Sequence, residues 1–198
     1  MAFLVLFLVL ALTDWVAVAR GSTALEYFAK PAALAALLGY AATGSSPSGW
    51  LITALGFSLL GDVLLMLPAD LFAGGLAAFL LAHVAYIADL KATLGARLLW
   101  FVVVVVVSSP LAARILRSVP SGALRGAVGF YIGIISFMVA SAIATGHAWA
   151  AVGAALFFVS DGIIAWNRFV GPTPWARPAI MITYHLGQLG LTIALRSA

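Results

Sequence analysis

The chain has 198 residues, of which 65% are hydrophobic and only 8% charged, with a mean hydropathy of +1.17. A soluble domain of this length would lack the polar residues needed to cover its surface, so the composition excludes that class and points to a polytopic membrane protein. There is no cysteine, which rules out disulfides and thiolate metal sites, and the net charge of +4 comes from scattered basic residues with no basic run, a pattern of membrane topology and not of nucleic-acid binding.

Apolar runs long enough to cross a hydrocarbon core of about 30 Å follow one another along the chain: Ala2–Ala19, Ala24–Ala42, Gly49–Leu67, Leu71–Leu90, Leu98–Leu116, Leu124–Thr145, Ala148–Trp166 and Ala176–Leu195. The expected fold is therefore all-α, a single transmembrane domain over residues 1–198 with eight transmembrane helices in one bundle. Met1–Leu12 with Ala17-Val18-Ala19 has some features of a cleaved signal. No basic residue precedes the apolar run, however, and Asp14 and Trp15 interrupt it, so a retained first span is expected. The connections are short: Thr43–Ser48 is rich in Gly, Ser and Pro, Pro68–Asp70 is tight, Arg117–Ser121 carries Pro120, and Arg168–Arg177 carries Pro172 and Pro174. None is long enough to be a domain, which leaves function inside the helices. An even number of spans puts both termini on one side. The odd connections collect Arg20, Arg114, Arg117, Arg125, Arg168 and Arg177, against Lys91, Arg97 and Arg196 on the other side, and this excess predicts cytoplasmic odd connections.

Against this background the acidic residues stand out. Phe57–Leu67, FSLLGDVLLML, carries Asp62, and Ala155–Ala165, ALFFVSDGIIA, carries Asp161 in a similar frame. An aspartate at the middle of a membrane helix costs about 2.5–3.5 kcal/mol on insertion scales and generally faces the protein interior with a partner. Two in matched settings suggest one site built from two helices. Two carboxyl groups sharing a low-dielectric site do not both ionise cheaply, so such a pair divides into an acid and a base. Asp14 and Lys30 fall at a similar depth, in the half nearer the odd connections, with Asn167 close to that surface. His83, Tyr184, His185 and Gln188 fall nearer mid-depth. The separations Asp62…His83 and Asp161…His185 are alike, and the third and seventh spans run the same way, which raises a parallel internal repeat.

Each marked residue also has a plainer reading. The aspartates could make structural hydrogen bonds, or one could pair with Lys30. Lys30 could instead hold an anionic head group or snorkel to the interface, and Pro31 beside it removes a helical hydrogen bond. His83 and His185 fit no compact zinc spacing, so no metal site is assigned. Tyr184, His185 and Gln188 form one patch at i, i+3 and i, i+4 spacing. Gly129-x-x-x-Gly133 reads as close helix packing, and Val102–Val107 as lipid-facing or filler. No elbow surrounds Ser58 or Ser160 to make either a nucleophile.

LGDVLLML, the stretch from Phe79 through His83 to Tyr86, GAALFFVSDGIIAWNRF, Tyr184-His185-Leu-Gly-Gln188 and the early Lys30-Pro31 together resemble the YhhN family of lysoplasmalogenases over essentially the whole chain. The resemblance implies an eight-span integral membrane hydrolase of lipid metabolism, expected in the bacterial inner (plasma) membrane. It would cleave the vinyl ether bond of lysoplasmalogens to a fatty aldehyde and glycerophospho-ethanolamine or -choline. It maps the catalytic acidic positions to Asp62 and Asp161 and the basic position to Lys30. Membrane lipids and a lysophospholipid would be the partners, with oligomeric state left open. Vinyl ethers hydrolyse by proton transfer to the β-carbon, giving an oxocarbenium ion that water captures, and a positioned carboxyl pair supplies the acid and the anion without a cofactor. Lys30 would hold the phosphate, and His83, Asn167, Tyr184, His185 and Gln188 would line the substrate site and orient water or the glycerol hydroxyl. Three other readings remain: a hydrolase of another lysolipid, a proton-coupled transporter using the aspartates and histidines as a relay, and an intramembrane aspartyl protease, which Ser160 before Asp161 disfavours.

Overall fold

The computed structural model describes residues 1–120 and 122–196. Among them all regular structure is helical, in the order α1 (Ala2–Arg20), α2 (Thr23–Ala42), α3 (Gly49–Met66), α4 (Phe72–Asp89), α5 (Leu94–Ser118), α6 (Ala123–Ala144), α7 (Ala148–Phe169) and α8 (Ala176–Arg196). Seven are long and apolar enough to cross a membrane. The other is α2, whose hydropathy is lowered by Glu26, Lys30 and Pro31; its 20 residues still reach about 30 Å at the helical rise. The protein is thus an all-α, polytopic integral membrane protein, as the composition predicts.

The helix ends follow local chemistry. Gly21 (φ 67°) closes α1, its N–H reaching Val18 O while the N–H of Ser22 reaches Ala17 O, the paired bonds that a left-handed glycine permits. Ser48 and Thr93 cap α3 and α5 by accepting from the N–H groups of Leu51 and Ala96, at 3.4 Å each. The Thr93 cap starts α5 four residues before the apolar run at Leu98, so Arg97 is helical and its guanidinium turns back onto the carbonyls of Leu90 and Ala92. At the far end of α5, Arg125 donates twice to Val119 O; Ser121, within that connection, lies outside the described residues. Pro110 sits inside α5 and leaves Val106 O without its helical donor, and the Ser109 hydroxyl supplies one at 2.8 Å.

The chain divides into two compact units. The first comprises Met1–Asp89 with the residues from Thr192 onward. Here α1 packs on α2, α2 on α3 and α3 on α4. Glycine sets the α3–α4 distance: a β-carbon on Gly61 would come within 2.6 Å of the Phe79 ring. Ser48 donates to Asp89 Oδ1 at 2.7 Å, and Arg196 donates to Tyr40 O at 3.0 Å while lying over the Tyr40 ring. The second unit comprises Leu90–Leu191. There α5 packs on α6 and α6 on α7, and α7 meets α8 backbone to backbone. A β-carbon on Gly153 would sit 2.6 Å from Leu191 N, and one on Gly187 would sit 2.8 Å from Phe157 N. That crossing, not Gly129 and Gly133, is the tight helix contact. Gly129 has only Leu116 within 4 Å, and Gly133 has no side-chain or other-helix atom that close. Val102, Val103, Val105, Val106 and Val107 are exposed, as lipid-facing residues would be.

The units bury matching positions. Leu51, Ala54, Leu55, Ser58 and Gly61 are buried on α3; Ala150, Gly153, Ala154, Phe157 and Ser160, each 99 positions later, are buried on α7. On α4 the buried Ala78, Phe79, Ala82, His83, Ala85 and Tyr86 recur 102 positions later as the buried Ile180, Met181, Tyr184, His185, Gly187 and Gln188 on α8, while buried Gly75 at the start of α4 corresponds to the exposed Arg177. The echo between Asp62…His83 and Asp161…His185 is therefore a correspondence of register as well as of residue. It does not extend to α5, where Ile115 is the buried residue, whereas α1 buries several.

Candidate functional site

In the first unit, the interior polar residues come from every helix. Asp14 on α1, Ser58 and Asp62 on α3, and His83 and Tyr86 on α4 are all buried. Lys30, on α2, is buried too, and its Nζ lies 3.1 Å from Asp62 Oδ1, an ion pair whose side chains are 8% and 2% exposed. Of the readings open to Lys30, pairing with an aspartate is the one observed; a snorkelling lysine would be exposed. Three features place it. The apolar length of α2 carries position 30 well inside the chain's hydrophobic span. Pro31 takes one N–H out of the helix at that point. Gly61 lets the Phe79 ring close over α3 immediately beside Asp62. An ammonium offers three donors and no acceptor, so Lys30 holds Asp62 as a donor only.

In the second unit Asp161 is half-buried on α7. The phenol of Tyr131, buried on α6, donates to its Oδ2. On the neighbouring position of α7, Ser160 Oγ donates to Ile180 O at 3.2 Å, joining α7 to α8 and accounting for a buried hydroxyl without any nucleophilic role. Tyr184, His185 and Gln188 are buried. The Tyr184 ring packs edge-on against Phe157, with centroids 5.3 Å apart, and lies 5.5 Å from the imidazole of His185. Asn167 is taken into α7, which runs on to Phe169, and its Oδ1 accepts from Thr173 N at 2.9 Å, closing the turn that follows. Among the described residues no group of three His, Asp or Glu side chains is arranged to hold a metal ion.

The structure thus joins Lys30 to Asp62 and Tyr184 to His185, and it adds Tyr131 beside Asp161. Tyr131 is inconspicuous in the sequence because it lies in an apolar stretch, GFYIGIIS, where a tyrosine looks like interfacial or core filler. A signal was present in the spacing. Tyr131 follows Lys30 by 101 positions, close to the 99 that separate Asp161 from Asp62.

Comparison with known proteins accords with these features. The model of the YhhN family matches residues 25–195. The chain belongs to the YhhN family. Human lysoplasmalogenase TMEM86B is 35% identical over 158 residues, a stretch that covers 77% of this YhhN chain and 68% of the human protein. Bovine lysoplasmalogenase TMEM86A is 33% identical over 151 residues, covering 70% of the chain and 61% of the relative. A lysoplasmalogenase of Mycobacterium tuberculosis is 35% identical over 153 residues, covering 70% and 58%. The YhhN chain therefore spans roughly three-fifths to two-thirds of the length of these relatives. No solved structure matches it.

Proposed function

We propose that this YhhN-family chain is a membrane-embedded hydrolase that cleaves the vinyl ether bond of lysoplasmalogens, releasing a fatty aldehyde and glycerophospho-ethanolamine or -choline. The observation that carries the reading is a buried, ion-paired carboxylate, Asp62 with Lys30 at 3.1 Å, in a chain whose relatives are named lysoplasmalogenases. The substrate class comes from those names, and the chemistry agrees with the side chains available. A proton passes to the β-carbon as the C=C π pair forms the new C–H bond, leaving an oxocarbenium ion. Water adds to that cation and gives up a proton, and the hemiacetal then breaks to aldehyde and glycerol hydroxyl, consuming one water in all. Asp62 and Asp161 supply the acid and the anion. Lys30 supplies the positive charge that holds the lipid phosphate, while His83, Tyr184, His185, Gln188 and Asn167 orient water and the glycerol hydroxyl.

In this proposal residues 1–198 work as one transmembrane domain, its partners the lysophospholipid substrate and the surrounding membrane lipids. A bacterial inner (plasma) membrane is the proposed location, since multi-span helical proteins belong there and the spans of an outer membrane are strands of closed barrels. The test is aldehyde release by the purified protein from a lysoplasmenyl lipid, with an acyl lysophospholipid as the second substrate. Wild type is expected to release aldehyde from the first only, and Asp62→Asn and Asp161→Asn to fall about 100-fold or more, the usual range for losing an acid–base group. Hydrolysis of the acyl lipid alone would move the substrate to another lysolipid, and turnover of neither would sink the hydrolase reading.

A further inference from the structure

We propose that Tyr131 is the positioning residue of Asp161, and that this makes Asp161 the carboxyl group that gives and regains the proton. The inference rests on the hydrolase reading above and names a role within it. Two observations carry it. The first is the contact itself: a buried phenol on α6 donating to Asp161 Oδ2 on α7. The second is register. In each unit the second helix brings one polar side chain to the aspartate of the third, and in each that aspartate is the fourteenth residue of its helix. Lys30 is the eighth residue of α2 and Tyr131 the ninth of α6. The two places have taken chemically different residues.

The difference matters for proton transfer. An ammonium group only donates, so it bonds a carboxylate and has nothing to accept from a carboxylic acid. A phenol both donates and accepts. With Asp161 ionised, the Tyr131 hydroxyl donates to Oδ2, as seen. With Asp161 protonated, the phenol oxygen can accept, so the contact survives the loss and return of the proton without a change of rotamer. A carboxyl group held in one orientation through both states is what proton delivery to a fixed carbon requires. In the reaction, Asp161 gives its proton to the vinyl ether β-carbon, the π electrons form the C–H bond, and a proton of the adding water returns to the Asp161 carboxylate. Tyr131 is not consumed; it acts through its contact with Asp161.

The experiment uses the full-length protein with Tyr131→Phe, which removes the hydroxyl and keeps the ring. With a lysoplasmenylcholine as substrate, kcat is expected to fall about tenfold to a hundredfold with KM little changed, as for loss of one hydrogen bond to a charged group. In an Asp161→Asn background the same substitution is expected to add nothing. An unchanged kcat, or an equal loss in both backgrounds, would overturn the proposal. A fluorinated tyrosine at position 131 keeps fold and hydroxyl but strengthens the donor; it should move the pH profile of kcat, and an unmoved profile counts against the role even if the phenylalanine variant does not fold. A substrate-free readout separates this inference from the hydrolase reading. The infrared carboxyl band assigned to Asp161 by its Asn variant should shift in Tyr131→Phe. An unshifted band refutes positioning by Tyr131, whereas a shifted band in a protein that releases no aldehyde refutes the hydrolase reading and leaves the Tyr131–Asp161 coupling standing.

Discussion

Lys30 and Asp62 are each costly alone and tolerable together. Both side chains are more than nine-tenths buried, and removing one partner of a buried pair leaves an uncompensated charge, at a cost of about 3–5 kcal/mol. Replacing both by apolar or neutral groups of similar size is often neutral. Lys30→Met is therefore expected to lower the unfolding midpoint in detergent by roughly 6–20 °C, using the usual relation between free energy and midpoint for chains of this length. Lys30→Met with Asp62→Asn should recover much of that loss while remaining inactive. A double variant no more stable than the single one would mean that Lys30 is held by something other than Asp62. The aspartates were legible because a carboxylate in an apolar helix is conspicuous, and Lys30 for the same reason. Its partner was not, since a buried ion pair and an interfacial phosphate ligand ask for the same residue at nearly the same depth. Tyr131 was harder still: its hydroxyl is one polar atom on an aromatic body that belongs naturally in a membrane helix.

At the scale of elements, hydrophobic runs located the helices well and their contacts poorly. Runs of apolar residues report membrane thickness, so the spans from Gly49 and Ala148 begin where α3 and α7 begin. Ends are set by smaller events. The cap at Thr93 lengthens α5, and the helix that carries Asn167 continues to Phe169, with the Asn167 amide oxygen accepting from Thr173 N to close the turn that follows. Packing was misread at the glycines. Gly129 and Gly133 have the four-residue spacing of a helix-crossing motif, yet the close approach uses Gly153 against Gly187 and Gly190, drawn from two helices and invisible to a motif read along one. This difference is measurable. Gly153→Ala would place a β-carbon 2.6 Å from the Leu191 backbone nitrogen, which cannot rotate away, so an overpacking loss of about 1–3 kcal/mol is expected. Gly133→Ala meets open space and should change stability by less than about 0.5 kcal/mol. Thermal unfolding of the two variants side by side reads the contrast, and equal losses would show that α7 and α8 do not meet through their glycines.

For the molecule as a whole, the number of crossings turns on α2. Its hydropathy sets it apart from the other helices, but the residues responsible are placed so as not to prevent insertion. Glu26 lies in the first turn, within reach of the interface. Lys30 is the deeper group and is neutralised by Asp62, so lipid meets no bare charge from it. A hydropathy scale prices lysine as though it faced lipid, and it cannot see a counter-charge supplied by another helix. If α2 crosses, the exposed turn at Gly21 and the exposed Gly-Ser-Pro turn at Ser45 and Ser46 face opposite sides, and the turn at Ala69 returns to the side of Gly21. The basic residues then predict orientation: Arg20, Arg114, Arg117, Arg125, Arg168 and Arg177 outnumber Lys91, Arg97 and Arg196, so Gly21 and Ala69 are expected to face the cytoplasm. Reporters inserted at the three turns test both steps, with a phosphatase active outside the membrane and a fluorescent protein active inside. Fluorescence at Gly21 and Ala69 with phosphatase activity at Ser46 is the expected pattern. The mirror pattern would overturn the orientation and keep α2 and α3 as crossings, whereas the same reporter active at Gly21 and Ser46 would show that α2 does not cross.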